Sequence, residues 1–196
     1  MPDRDQLIGL IQLGREERFL EYKESAPWGS IKTKIIRTAM AMANCRDGGT
    51  VIIGVSQREG QFFPEGVSAD HLDSYDPDEI QAAISRHADP YVRIELHRIE
   101  TDRRIFLALV IHEFDEMPVV CKKDGVDLRE GAIYTRPYRM PESCEVRSQT
   151  EMREIMDLAT EKAVKAFVRR MQAVGVRVGE TAESNAEKFD KQLGGL

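Results

Sequence analysis

The sequence predicts a mixed α/β (α+β) fold, in which helices flank one mixed sheet and a long helix follows. Segment 31–43 repeats apolar residues at helical spacing, whereas 51–55 is a continuous apolar run of strand length. The Asp-Gly-Gly turn at 47–49 separates them, and glycine tolerates the positive φ that such a turn needs. Two more strands are expected at 92–99, which alternates in polarity, and at 105–111, which is apolar throughout. Buried strands must pair their backbone groups, so we expect these segments to share one sheet.

The remaining helices are marked by residues that cap helix N-termini. Asp3 is the expected cap of a helix within 1–14, and Ser30 is the expected cap of the helix over 31–43. Asp76, followed by proline, predicts a third helix, and Ser148 predicts the long one that runs to about Val174. Shorter strands are expected at 19–25, in a hairpin over 56–66, at 118–121 and at 132–136.

The long helix carries an apolar stripe with two possible roles. The stripe either packs against the core or forms the seam of a homodimer. Its members are Met152, Ile155, Met156, Ala159, Ala163, Phe167 and Met171.

Length and composition favour one compact domain with an appendage. The chain has 196 residues, of which 41% are hydrophobic, enough for one core but not for two full domains. The expected divisions are an N-terminal helix at 1–14, the main domain at 15–145, a C-terminal helix at 146–174 and a polar tail at 175–196.

Charge and composition limit the possible functions. A net charge of −6 argues against a protein that coats nucleic acid by bulk charge, so any DNA or RNA site must be a local basic patch. No apolar run approaches the roughly 20 residues of a membrane span, so no membrane partner is expected. The three cysteines have no metal-ligand spacing, which indicates reduced thiols and a cytoplasmic location.

Basic side chains in two regions are candidates for phosphate contacts. Lys34 and Arg37 lie three residues apart on one face of the predicted helix, and Arg136 and Arg139 bracket a Pro-Tyr pair. The alternative is an ordinary solvated helix face and loop. Tyr138 offers a ring on which a base can stack, although most tyrosines simply pack.

The turn between the first long helix and its strand is a second phosphate candidate. Asn44, Gly48 and Gly49 can present backbone N–H groups as an anion cradle. The alternative is a helix C-cap and a tight turn.

Three groups of residues form a pattern that covers roughly residues 15–145. The first is Glu17 with Glu21-Tyr22-Lys23, the second is Ala43-Asn44 with the run 47–55, and the third is residues 131–136. Together they resemble the Schlafen AlbA-type domain. In order, they resemble its E-x-x-x-E-F-K strand, its A-x-A-N-x-x-G-G-x-x-x-x-G-V signature and its closing G-x-x-Y-x-R strand.

The resemblance implies a mixed α/β fold with a twisted sheet and a role with nucleic acids, since the family is described as DNA-binding. In some Schlafen proteins the same scaffold is a metal-dependent endoribonuclease that uses two glutamates and an aspartate after the Gly-Val strand. Glu16 and Glu21 match that glutamate spacing, so they are the candidate Mg²⁺ or Mn²⁺ ligands, with Lys23 as a phosphate contact. The third acid is missing, because Ser56-Gln57 follows Val55.

Three hypotheses follow. The first is a nucleic-acid-binding module without a cofactor, which contacts DNA or RNA through Lys23, Lys34, Arg37, Arg136 and Arg139. The second is a Mg²⁺- or Mn²⁺-dependent RNase that uses Glu16, Glu21 and Lys23, which the missing aspartate disfavours. The third is an assembly protein that binds no nucleic acid and associates through its C-terminal helix.

Overall fold

A four-stranded mixed sheet forms the centre of the computed structural model, which describes residues 2–175. Numbered along the chain, its strands lie in the spatial order β1 (Leu20–Lys23), β2 (Gly49–Ile53), β7 (Arg104–Ile111) and β6 (Ile94–Thr101). β1 and β2 are parallel, whereas β7 is antiparallel to both of its neighbours. The predicted mixed α+β fold is therefore confirmed.

Helices cover both faces of this sheet. On one face, Leu7 and Ile11 of α1 (Arg4–Gln12) form a cluster with the strand side chains that point to that face, among them Ile52 and Phe106. On the other face α2 (Trp28–Ala43) and α4 (Pro77–Ser85) pack against the opposite set, which includes Leu109. Because successive side chains of a strand point to opposite faces, a run such as 105–111 is buried along nearly its whole length.

Short elements surround the sheet. The expected hairpin is present as β3 (Val55–Arg58) and β4 (Gln61–Pro64). The remaining elements are α3 (Ala69–Leu72), β5 (Ala88–Asp89), β8 (Val120–Cys121), β9 (Tyr134–Thr135) and β10 (Cys144–Glu145), with β5 paired to β8 and β9 to β10. Of these, α3, β5 and β10 were not predicted, because they are too short to show a periodicity.

Helix α2 begins earlier than its sequence predicts. Ser30 was the expected cap, but the helix starts at Trp28 and Pro27 occupies the cap position. The N–H of Trp28 donates to Ser74 Oγ at 2.9 Å, and the indole is buried. A hydrogen bond from a distant residue thus satisfies a donor that a local cap would otherwise serve.

The predicted long helix is present as α5 (Gln149–Ala173), but its apolar stripe is only partly buried. Contacts divide the chain into the units Met1–Ala159 and Thr160–Leu196. Within the first unit, Ile155, Leu158 and Ala159 are buried. Of the two roles left open for the stripe, packing against the core therefore applies to Ile155 and Ala159 only, because Met152, Met156, Ala163 and Phe167 are exposed.

The rest of the second unit can be described only in part. Its described portion, 160–175, is the end of α5 and the two residues that follow. The predicted polar tail, 175–196, lies outside the described residues except for Gly175. Across residues 2–175, none of the helices has both the length and the apolarity that crossing a bilayer requires. The three cysteines are free thiols.

Candidate nucleic-acid interface

A buried ion pair joins the first strand of the sheet to the closing segment of the domain. The guanidinium of Arg136 is fully buried and pairs with the carboxylate of Glu21 on β1. It also donates to the carbonyl oxygen of Glu17 at 3.2 Å and to that of Pro141. A buried arginine of this kind needs a paired carboxylate and further acceptors to offset its desolvation.

Two more side chains complete the surroundings of the Glu21 carboxylate. Thr38 on α2 donates to it at 3.0 Å, and Lys23, two residues along β1, forms a second ion pair with it. Burial raises the pKa of Glu21, but the positive charges of Lys23 and Arg136 outweigh that effect, so the pKa lies below its ordinary value. Glu21 is therefore ionised, and its single negative charge is shared by two cations.

The structure corrects the predicted position of Arg136. The sequence analysis assigned Arg136 to a phosphate-contacting surface, but a guanidinium with no exposed area cannot reach a phosphate. Strand alternation offered no signal for this burial, because both residues of β9, Tyr134 and Thr135, are buried and Arg136 directly follows the strand. Lys23 is half-buried and its ammonium is directed to Glu21.

The acidic pair does not fit a divalent metal. Glu16 Oε1 accepts a hydrogen bond from the Tyr22 backbone N–H at 2.9 Å, while Glu21 is already neutralised by two cations. Within residues 2–175 no three His, Cys, Asp or Glu side chains form a group that could hold a metal ion. Because Mg²⁺ and Mn²⁺ need several hard oxygen ligands with uncompensated charge, no metal-dependent step is derived from these residues.

The turn between α2 and β2 is a structural joint, and the predicted phosphate cradle is not formed there. The Asn44 amide nitrogen donates to the carbonyl oxygens of Val119 and Tyr134 at 2.8 and 2.9 Å, and its oxygen accepts from the Val119 N–H at 2.7 Å. The N–H of Asp47 donates to Glu113 at 2.8 Å and that of Gly48 to Cys45 at 3.1 Å. The backbone N–H of Asn44 donates to the Met40 carbonyl oxygen at 3.3 Å, so two of the three predicted cradle donors, those of Asn44 and Gly48, are not available to a phosphate.

Gly48 and Gly49 are required by packing at this joint. A Cβ on Gly48 would lie 2.0 Å from the Ile111 carbonyl oxygen, and one on Gly49 would lie 2.5 Å from Met42 Sδ. These contacts are those of a helix C-cap and a tight turn into a buried strand, which was the alternative interpretation.

The loop 137–142 carries exposed groups above the buried ion pair. Arg139 is exposed, and Tyr138 is 79% exposed with the Arg18 guanidinium 4.0 Å from its ring centroid. The loop is fixed from below, because Arg18 Nε donates to the Arg136 carbonyl oxygen at 2.5 Å. A cation above an aromatic ring is attracted to the negative face of that ring, so Arg18 helps to hold Tyr138 in position.

Helix α2 meets the same loop through a side-chain hydrogen bond. Ser143, at the end of the loop, donates to Thr38 on α2 at 3.2 Å. Lys34 is exposed and Arg37 half-buried on the same helix. We call Lys34, Arg37, Tyr138 and Arg139 the basic surface.

Arg37 also lines a pocket that sequence reasoning missed. The pocket has a volume of about 370 Å³ and includes Arg129 and Arg147 among its walls. The three arginines are far apart in the chain and belong to no motif, so no sequence signal would have grouped them. Arg18 was missed for the same reason.

Comparison with known proteins identifies the family. The profile of the family described as Schlafen, AlbA_2 matches residues 16–143, which is more than half of the chain. The chain belongs to the Schlafen AlbA_2 family, as its motifs predicted. No curated protein matches it.

Two solved structures are similar to part of the chain. The DIP2311 protein from Corynebacterium diphtheriae has 16% sequence identity and a TM-score of 0.49 over 77% of this chain, which covers 28% of that protein. The N-terminal domain of a protein described as related to the ATP-dependent DNA helicase RecG, from Nitrosomonas europaea, has 22% identity and a TM-score of 0.46. That match covers 64% of this chain and 84% of the other.

Proposed function

We propose that this chain is a nucleic-acid-binding module whose basic surface contacts the phosphates of DNA or RNA. Its membership of the Schlafen AlbA_2 family supports a nucleic-acid-related role. The observation that carries the proposal is the loop 137–142, which presents exposed Tyr138 and Arg139 above the buried Glu21–Arg136 pair.

The loop is already anchored before it binds nucleic acid, and this favours binding even though the molecule as a whole is acidic. A flexible loop loses conformational entropy when it binds, whereas a loop held at Arg136 and Ser143 has already lost part of it. Exposed lysine and arginine then gain from the release of counterions along the phosphate backbone. Tyr138 adds a face on which an unpaired base can stack.

The test is binding of labelled tRNA and duplex DNA at two salt concentrations by the wild type and by Lys34→Gln/Arg139→Gln. Each phosphate contact contributes about 0.9 to the slope of log affinity against log salt on duplex DNA, so we expect the slope to fall by about 1.8. The control is Arg98→Gln, an exposed arginine on β6 at the opposite edge of the sheet from β1. If Lys34→Gln/Arg139→Gln and Arg98→Gln both had the affinity and salt slope of the wild type, the assignment of the basic surface would be disproved.

The same assay examines the nuclease hypothesis when it is run with Mn²⁺ and with EDTA. The charge balance at Glu21 leads us to expect identical RNA integrity in both. Manganese-dependent cleavage would show that an acid other than the Glu16–Glu21 pair completes a metal site.

A second candidate function is self-association through the end of α5. Val164 and Phe167 are 55% and 59% exposed there, and Val174, which directly follows the helix, is 75% exposed. Apolar side chains at helical spacing are the usual seam of a helix pair, so we propose homodimerisation through this segment.

A further inference from the structure

The pocket between α2 and the β9–β10 pair contains guanidinium groups without partners. Arg37 projects from α2, and Arg147 follows β10 by two residues. Within residues 2–175 neither side chain forms a hydrogen bond or an ion pair, and Arg37 Nε is buried without an acceptor. The donors of both guanidinium groups are therefore free to bind an acceptor that enters the pocket, and a buried donor such as Arg37 Nε is stabilised when it gains one.

A third arginine stabilises the wall of the pocket. Arg129 forms an ion pair with Glu145 on β10, and its Nε donates to Glu145 Oε2 at 3.2 Å. This pair neutralises the Glu145 carboxylate. Of the charges that line the pocket, Arg37 and Arg147 then remain against the single carboxylate of Asp127.

The other polar groups of the pocket are neutral donors. Tyr134 Oη accepts a hydrogen bond from the Arg129 backbone N–H at 2.8 Å, which leaves its own proton for an acceptor. Burial raises the pKa of Tyr134 and, despite the nearby arginines, also that of Cys144, so both groups keep their protons near neutral pH. Neither group adds negative charge.

From this geometry we infer that the pocket is an oxyanion site that takes a phosphate group, held by Arg37, Arg147 and the Tyr134 hydroxyl. Guanidinium groups suit a tetrahedral phosphate because they donate two parallel hydrogen bonds. A volume of about 370 Å³ accommodates a phosphate together with an attached sugar or a second phosphate. The phosphate belongs either to a nucleic acid strand or to a free phosphate compound. The inference extends the proposed function but does not depend on it.

The direct test is titration of the full-length protein with inorganic phosphate and with pyrophosphate at constant ionic strength. The readout is the NMR signal of the arginine Nε–Hε groups together with calorimetry. We expect the Arg37 signal to shift, and we expect Arg147→Gln to weaken pyrophosphate binding by about tenfold or more, because a charge-assisted hydrogen bond is lost. Arg98→Gln, which lies outside the pocket, should leave the affinity unchanged.

A second variant separates ligand binding from any effect on folding. Asp127 is exposed and has a φ of 56°, a conformation that asparagine tolerates well. Asp127→Asn removes the carboxylate that repels the phosphate, so it should tighten pyrophosphate binding. A residue with only a structural role would not produce such a gain. No shift at Arg37 with either anion, or equal affinity in all four proteins, overturns the inference.

Competition identifies the source of the phosphate. If the pocket holds a phosphate of a nucleic acid strand, pyrophosphate should displace labelled tRNA more strongly than chloride at the same ionic strength. If pyrophosphate binds without displacing tRNA, the inference stands and the ligand is a free phosphate compound. If the wild type binds pyrophosphate but neither tRNA nor DNA, the proposed function fails while the pocket assignment stands.

Discussion

Replacing Glu21 would leave the buried Arg136 guanidinium without its paired carboxylate. Glu21→Gln removes the charge that balances the fully buried Arg136 guanidinium, and an uncompensated buried charge costs about 3–5 kcal/mol. We therefore expect a large fall in the free energy of unfolding, measured by urea denaturation. Glu24→Gln is the matched control, because Glu24 is exposed, and it should change stability by less than about 0.5 kcal/mol. Equal effects of the two changes would mean that the pair does not stabilise the fold.

The effect of Glu21 should also depend on pH, with a defined sign. Its pKa is lowered in the folded state, so its contribution is complete above the ordinary glutamate pKa of about 4.3 and is lost as the pH falls through the folded value. The stability difference between the wild type and Glu21→Gln should therefore be constant near pH 7 and shrink below about pH 4. A difference that grows in acid would contradict this assignment.

Among the elements, the joint between α2 and β2 depends most on a single glycine. Gly48 has a φ of 68°, and an added Cβ would meet the Ile111 carbonyl oxygen of β7. Gly48→Ala should destabilise the domain by more than about 1 kcal/mol, since both the backbone conformation and the space are unfavourable. Thermal denaturation monitored by circular dichroism would measure it.

A glycine inside a helix provides the opposite control. Gly9 lies in α1, and a Cβ there meets no atom within 4 Å. Gly9→Ala should stabilise the protein by about 0.5–1 kcal/mol, because alanine is the better helix former. If both substitutions stabilise the domain, that result would contradict the close packing of Gly48 against β7.

For the whole molecule, the proposed homodimer predicts a dissociation constant that depends on Phe167. Phe167→Glu should weaken association by about tenfold or more, because burying one aromatic side chain contributes about 1.5–3 kcal/mol. Sedimentation velocity over a range of concentrations would measure the change. Gln172→Glu adds the same charge at another exposed position of α5 and should leave association intact. A wild-type protein that is monomeric at every concentration would rule out the dimer.

Much of the fold could be predicted because its signals are local. The apolar periodicity of α2, the continuous apolar run of β7 and the capping residues Asp3 and Ser148 each involve neighbours a few residues apart. Such short-range preferences do not depend on tertiary contacts. They were sufficient for the sheet strands and for the main helices.

The candidate site was less predictable, because long-range packing sets the burial of each charge. Glu21 and Arg136 are 115 positions apart, and only the folded domain brings them into contact and removes Arg136 from the surface. The pocket likewise joins Arg37 to Arg147 across the β9–β10 pair. The amino-acid sequence thus specified the elements through local periodicity, whereas tertiary packing assigned each arginine to the core, the pocket or the surface, because solvent exposure is a property of the assembled layers.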